Sequence, residues 1–106
     1  SDDQLENRFE PVPLPVWEEG DELLSLLASF CAVLPLKRPS EIANEETARY
    51  ILSRTEGTIG EIARLLASAA VAAIRSGEES INQRTFGLAD YQSPTERRRT
   101  FERALL

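Results

Sequence analysis

"EGTIGEIARLLASAAVAAIRSG", residues 56–77, carries the clearest helical pattern in the chain and decides its fold class. Ile62, Leu66, Ala69, Ala70 and Ala73 recur at spacings of three and four, so they line one face of a helix. Leu65, Val71 and Ile74 widen that stripe, which is the pattern of a central helix covered on more than one side. The many alanines allow close approach by neighbouring helices. Thr58 and Glu61 stand three residues apart just ahead of the apolar run. That is the spacing of a capping box, in which each side chain satisfies a free N–H of the first turn. Gly77 supplies the stop at the other end.

Working upstream, "RPSEIANEETARYILSRTEG" offers Ser40 and then Asn44 as N-caps, with Ala48, Ile51, Leu52 and Thr55 on one face and Gly57 as the stop. Before it, "DELLSLLASFCAVLP" puts Leu23, Leu27, Phe30 and Leu34 at helical spacing, opens on acids that suit the helix dipole, and ends at Pro35. Pro11, Pro13 and Pro15 alternate in "FEPVPLPVW", which favours an extended connector rather than a helix. A short helix ending near Asn7 precedes it. Downstream, Ile81 reads as core and Asn82 as the cap of a short helix "QRTFGLA". Ser93, Pro94 and Glu96 form a second capping box for "PTERRRTFERALL", whose seam is Phe101 and Leu105. No alternating strand follows residue 20. The expectation is an all-α bundle of four to five helices with an extended N-terminal arm.

Composition narrows the function. The chain has 106 residues, one cysteine, no histidine, no methionine and a net charge of −6. A lone Cys31 forms no internal disulfide, and no Cys/His cluster exists for zinc, so no metal site is expected and a reducing cytoplasm fits best. No apolar run approaches the ~20 residues of a membrane span, and "SDDQLENRFE" is acidic where a signal peptide is basic. Ser1 and the lack of methionine suggest a piece of something longer. Residues 1–22 hold eight acids against one base, while the remainder is nearly balanced, so the chain as a whole does not read as a stand-alone DNA binder. Arg97, Arg98, Arg99 and Arg103 form the one basic cluster. They are either a solvated helix face or a surface for DNA phosphates or a protein partner.

Catalytic machinery is sparse. The chain has no GxxxxGK[ST] loop and no apolar strand ending in paired acids, so nothing in it holds a triphosphate and magnesium unaided. Without histidine there is no triad, and Cys31 sits in an apolar helical stripe, where a buried inert thiol is expected. Glu45/Glu46 and Glu78/Glu79 read as solvated pairs at helix starts or loops.

"NRFEPVPLPVW", then two helices with Gly57 closing the second, then "GTIGEIARLL" opening a third, together resemble the C-terminal part of an AAA+ ATPase. More narrowly, the chain resembles the TniB-type transposition ATPases, relatives of the phage Mu target-selection ATPase, over nearly its whole length. The resemblance implies that residues 1–20 end the AAA+ core and that 21–106 form its helical lid. It implies ATP in the full-length parent, with magnesium held by upstream residues, and no nucleotide or turnover for this fragment alone. Arg8 in "NRF" matches the arginine finger that reaches ATP on a neighbouring subunit. The residues alone equally allow an exposed Arg8 paired with Glu6 or Glu10.

The lid's third helix in this family begins with a GxxxR "sensor 2" motif. Here Gly57, Thr58, Ile59 and Gly60 fit the turn, but Glu61 takes the arginine's place. The resemblance then puts Ile59, Gly60, Glu61 and Arg64 beside the nucleotide, Ile59 and Gly60 towards adenine. Arg64 either reaches the phosphates or forms the polar edge of its helix. The implied partners are the AAA+ core of the same chain, further copies of the parent, the transposase and DNA, with no membrane. The rival reading is a free-standing helical protein–protein interaction module without nucleotide. A helix-turn-helix reading fits less well, because residues 59–76 are too apolar to face a groove.

Overall fold

The computed structural model describes residues 15–105, and the expected helix ending near Asn7, the connector prolines Pro11 and Pro13, and Arg8 lie outside them. Among the described residues the chain forms five α-helices and no β-strand: α1 (Asp21–Val33), α2 (Glu45–Thr55), α3 (Ile59–Ser76), α4 (Gln83–Leu88) and α5 (Pro94–Ala104). The chain is all-α, as its periodicity predicts.

The central helix is α3. Ile62, Leu65, Leu66, Ala69, Ala70, Ala72 and Ala73 are buried on it, each large aliphatic contributing about 1.5–3 kcal/mol relative to exposure. It packs on α2 and α4, and α1 packs on α2. Leu23 and Leu27 of α1, Ile42 of the following loop, Ala48 and Ile51 of α2, and Ile81 and Phe86 complete the core. Val71 and Ile74 do not widen the α3 stripe: they are 45% and 49% exposed, because the covering elements lie on the α2 and α4 sides and leave that flank open.

Two ends differ from the sequence expectation. Helix α1 stops at Val33, so Leu34 caps it and packs from the extended side. At the end of α2 the left-handed cap is Glu56 (φ 58°), whose N–H bonds to the Leu52 carbonyl, and Gly57 follows with a second positive φ. Asn44 caps α2, its side chain accepting from the Thr47 N–H at 2.8 Å. Ser40 has a different task. Its hydroxyl accepts from the Ile81 N–H at 2.8 Å, while Ser80 donates to the Pro39 carbonyl at 2.8 Å and Arg38 N–H bonds to the Glu79 carbonyl at 2.9 Å. The α1–α2 and α3–α4 loops are thereby stitched together.

The N-terminal arm is seated by its backbone. Val16 makes an antiparallel bridge with Thr58, and the Trp17 N–H bonds to the Gly57 carbonyl at 2.7 Å. Gly57 is obligatory here: a Cβ would lie 2.7 Å from the Trp17 carbonyl oxygen and 2.7 Å from Val16 Cγ1, at a φ of +82°. Beneath it, the buried Thr55 hydroxyl donates to the Ile51 carbonyl at 2.7 Å and accepts the Gly57 N–H at 3.2 Å.

Helix α5 is unlike the others, for it buries no residue at all. Its expected apolar seam faces water, Phe101 being 65% and Leu105 71% exposed.

Candidate functional site

Glu61 sits in the first turn of α3 with its side chain 18% exposed. It makes no capping box, since Thr58 accepts no side-chain cap bond. A hydroxyl and guanidinium groups outcompete backbone N–H groups that water can reach. The Tyr91 hydroxyl, from the loop before α5, donates to Glu61 Oε2 at 2.8 Å. Arg97, from the first turn and a half of α5, donates from its Nη2 to Oε1, and Arg64 Nη1 lies 3.8 Å from the same oxygen. Burial pushes the Glu61 carboxyl up, but the bonds from Arg97 and Tyr91 and the two guanidinium charges outweigh it and hold the group below the ordinary glutamate value. Burial, and then donation to Glu61, push Tyr91 up to about 12.

A second ionic contact lies alongside. Arg54, in the last turn of α2, donates from Nη1 to Glu96 Oε1 at 2.6 Å and from Nη2 to the Tyr91 carbonyl at 3.1 Å. Its guanidinium carbon stands 5.6 Å from the centre of the Tyr91 ring, within cation–π range. The Arg54 bond holds the Glu96 carboxyl down. Ser93 does cap α5, accepting from the Glu96 N–H at 3.2 Å. The reciprocal half of the expected capping box is absent because the Glu96 carboxylate turns to Arg54 instead. Arg98 adds a loose exposed pair with Glu56 at 3.9 Å. The Nε atoms of Arg54 and Arg97 are buried without a hydrogen-bond partner among the described residues, so neither arginine is fully satisfied.

The residues singled out in the sequence therefore separate. Ile59 is 46% exposed and Gly60 is exposed beside it at the open end of α3, and Arg64 points largely to water with 63% of its side chain exposed. Of the basic cluster, Arg97 turns inward to Glu61, whereas Arg98, Arg99 and Arg103 remain exposed. The four are not one surface. Arg8 lies outside the described residues. Tyr91 and Arg54, and the pairing of Glu96 with Arg54 in place of its expected cap, escaped sequence reading because the partners lie 30 to 42 positions apart, beyond any helical period. The only available hint was that oppositely charged residues stand at 54 and 96 and at 61 and 97.

Cys31 is half-buried, its thiol donating to the Ser40 carbonyl at 3.2 Å, and burial pushes its pKa up, so it is a poor nucleophile. Among the described residues no cluster of acids, cysteines or histidines could hold a metal, and no helix is long and apolar enough to cross a membrane. A separate groove of about 610 Å³ runs between the start of α2 and α4, floored by Ile42, Ile81 and Phe86 and edged by Glu41 and Glu46. It shares no residue with the Glu61 cluster. No family model, no curated protein and no solved structure matches the chain.

Proposed function

We propose that the chain is the helical lid, with the end of the preceding core attached, of a TniB-like AAA+ ATPase that selects or activates target DNA for transposition. The observation that carries this reading is the seating of the arm on Gly57: an extended connector runs onto the turn that opens α3, beside the exposed Ile59 and Gly60. In a lid that turn faces the nucleotide. Pairing of Glu61 with Arg97 and Arg64 supports the same reading, because two guanidinium groups around one carboxylate leave a net positive charge where an isolated Glu61 would repel phosphate. Here Ile59 and Gly60 would line the adenine side, and Arg64 would offer its exposed guanidinium to the phosphates. The triphosphate and its magnesium would be gripped by upstream residues, and Arg8 would act across a subunit boundary. Arg98, Arg99 and Arg103 would form the outward surface for DNA or transposase in a cytoplasmic assembly of several copies.

The test is ATP hydrolysis by the longer polypeptide with and without DNA. Arg8→Ala should abolish turnover, and mixing it with subunits mutated in the phosphate loop should restore part of it. Normal hydrolysis by Arg8→Ala, or an upstream sequence without a phosphate-binding loop, would refute the reading. The alternative, a free-standing helical interaction module, draws on Phe101 and Leu105, an apolar pair on α5 with no cover among the described residues.

A further inference from the structure

Helix α5 joins the bundle in an unusual way, because none of its residues is buried and its two large apolar side chains, Phe101 and Leu105, point to water. What holds it is charge. Arg97 reaches Glu61 of α3, Glu96 reaches Arg54 of α2, and Arg98 lies near Glu56 beyond α2. The connecting loop adds the Tyr91 hydroxyl on Glu61 and the Tyr91 carbonyl on Arg54. Arg64 is the remaining charged group at this contact, 3.8 Å from Glu61. Among the described residues the two innermost arginines each leave Nε without a partner, so the contact is also incompletely satisfied there. A helix attached by apolar burial comes away only with the core. One attached by partly exposed ion pairs can leave alone.

We propose that α5 is an ionic latch: a helix that detaches as a unit when its pairs to Glu61 and Arg54 are weakened, while α1 to α4 stay folded. Detachment uncovers Glu61 and Arg54 together. It also frees Arg97, so that one event changes the charge at the start of α3 and completes the basic cluster on α5. The inference stands on this contact alone and does not depend on the proposed ATPase.

Amide hydrogen exchange of the 106-residue chain tests it, since an undocked helix of 11 residues is marginal in water and loses protection. Raising salt from about 0.1 M to about 1 M shortens the screening length from about 10 Å to about 3 Å. Exchange across residues 94–104 should then rise about tenfold, with α3 unchanged. Glu61→Gln combined with Glu96→Gln should do the same at low salt. Phe101→Ser should leave α5 as protected as before. The latch is overturned if α5 keeps its protection both at high salt and in the double variant, if α3 loses protection with it, or if Phe101→Ser alone releases the helix.

Discussion

Replacing Gly57 with alanine should loosen the arm and couple specifically to Trp17. The methyl group is unwelcome for two separable reasons. At φ +82° an L-residue pays about 1–2 kcal/mol in backbone conformation wherever the arm is. The Cβ would also sit 2.7 Å from both the Trp17 carbonyl oxygen and Val16 Cγ1, and that clash is relieved only by moving the arm. Moving it breaks the Trp17 N–H bond to Gly57, worth about 1 kcal/mol net, and loosens a half-buried indole packed on the core, worth about another 1 kcal/mol. The total is about 3–4 kcal/mol, a fall in melting temperature of ~12–32 °C for a domain of this size. Trp17 is the sole tryptophan, so its emission should already be red-shifted under native conditions while the helical circular dichroism persists. In a Trp17→Ala background the same glycine replacement still meets the residue-17 carbonyl oxygen and Val16 and still breaks the backbone bond, so only the indole share is missing and the coupling energy is about 1 kcal/mol. Strict additivity of the two substitutions, or unchanged emission in Gly57→Ala, would refute the account.

Four further outcomes follow from the structure. Thr55→Val should destabilise by about 1–3 kcal/mol in urea unfolding, because the buried Gly57 N–H loses its acceptor, whereas Thr55→Ser should cost clearly less. Tyr91 should ionise near 12 in an ultraviolet titration and fall back towards the free value of about 10 in Glu61→Gln. On the acid side the Glu61 carboxyl is held below its unfolded value. Its stabilising contribution is therefore present above about pH 4.3 and lost as pH falls through the depressed folded value, so wild-type melting temperature should drop there more steeply than that of Glu61→Gln. Arg99→Glu with Arg103→Glu should leave the melting temperature unchanged, since both side chains are exposed, yet, on the proposed ATPase reading, weaken DNA binding by the longer polypeptide and flatten its salt dependence, as measured by fluorescence anisotropy.

Local signals predicted local structure well. The three- and four-residue spacing from Ile62 to Ala73 located the central helix and most of its buried face, and Asn44, Asn82 and Ser93 cap the helices expected of them. Failures came where a local and a distant partner compete for one side chain. Glu61 and Glu96 had the right spacing for capping boxes, but arginines 36 and 42 positions away hold them instead. Amphipathicity also misled. Phe101 and Leu105 have the spacing of a seam, and Val71 and Ile74 lie on a helix apolar almost all round, yet no element covers either pair among the described residues. Periodicity shows which face could be buried. It does not show whether anything arrives to bury it.

The stitching of residues 38–40 to residues 79–81 bears on the order in which the chain assembles. Contacts among α2, α3 and α4 join neighbours in sequence, so their loops are cheap to close and they can form early. The stitch closes a loop of about 40 residues for a handful of hydrogen bonds, and its entropy is recovered only once α3 has presented the Glu79 carbonyl, the Ser80 hydroxyl and the Ile81 N–H in a fixed place. Docking of α1 through this seam therefore belongs on the native side of the folding barrier. The seam, flanked by the buried Ile42 and Ile81, should then act as a brake on unfolding rather than a nucleus for folding, so that two loops outside the helices govern how long the bundle persists.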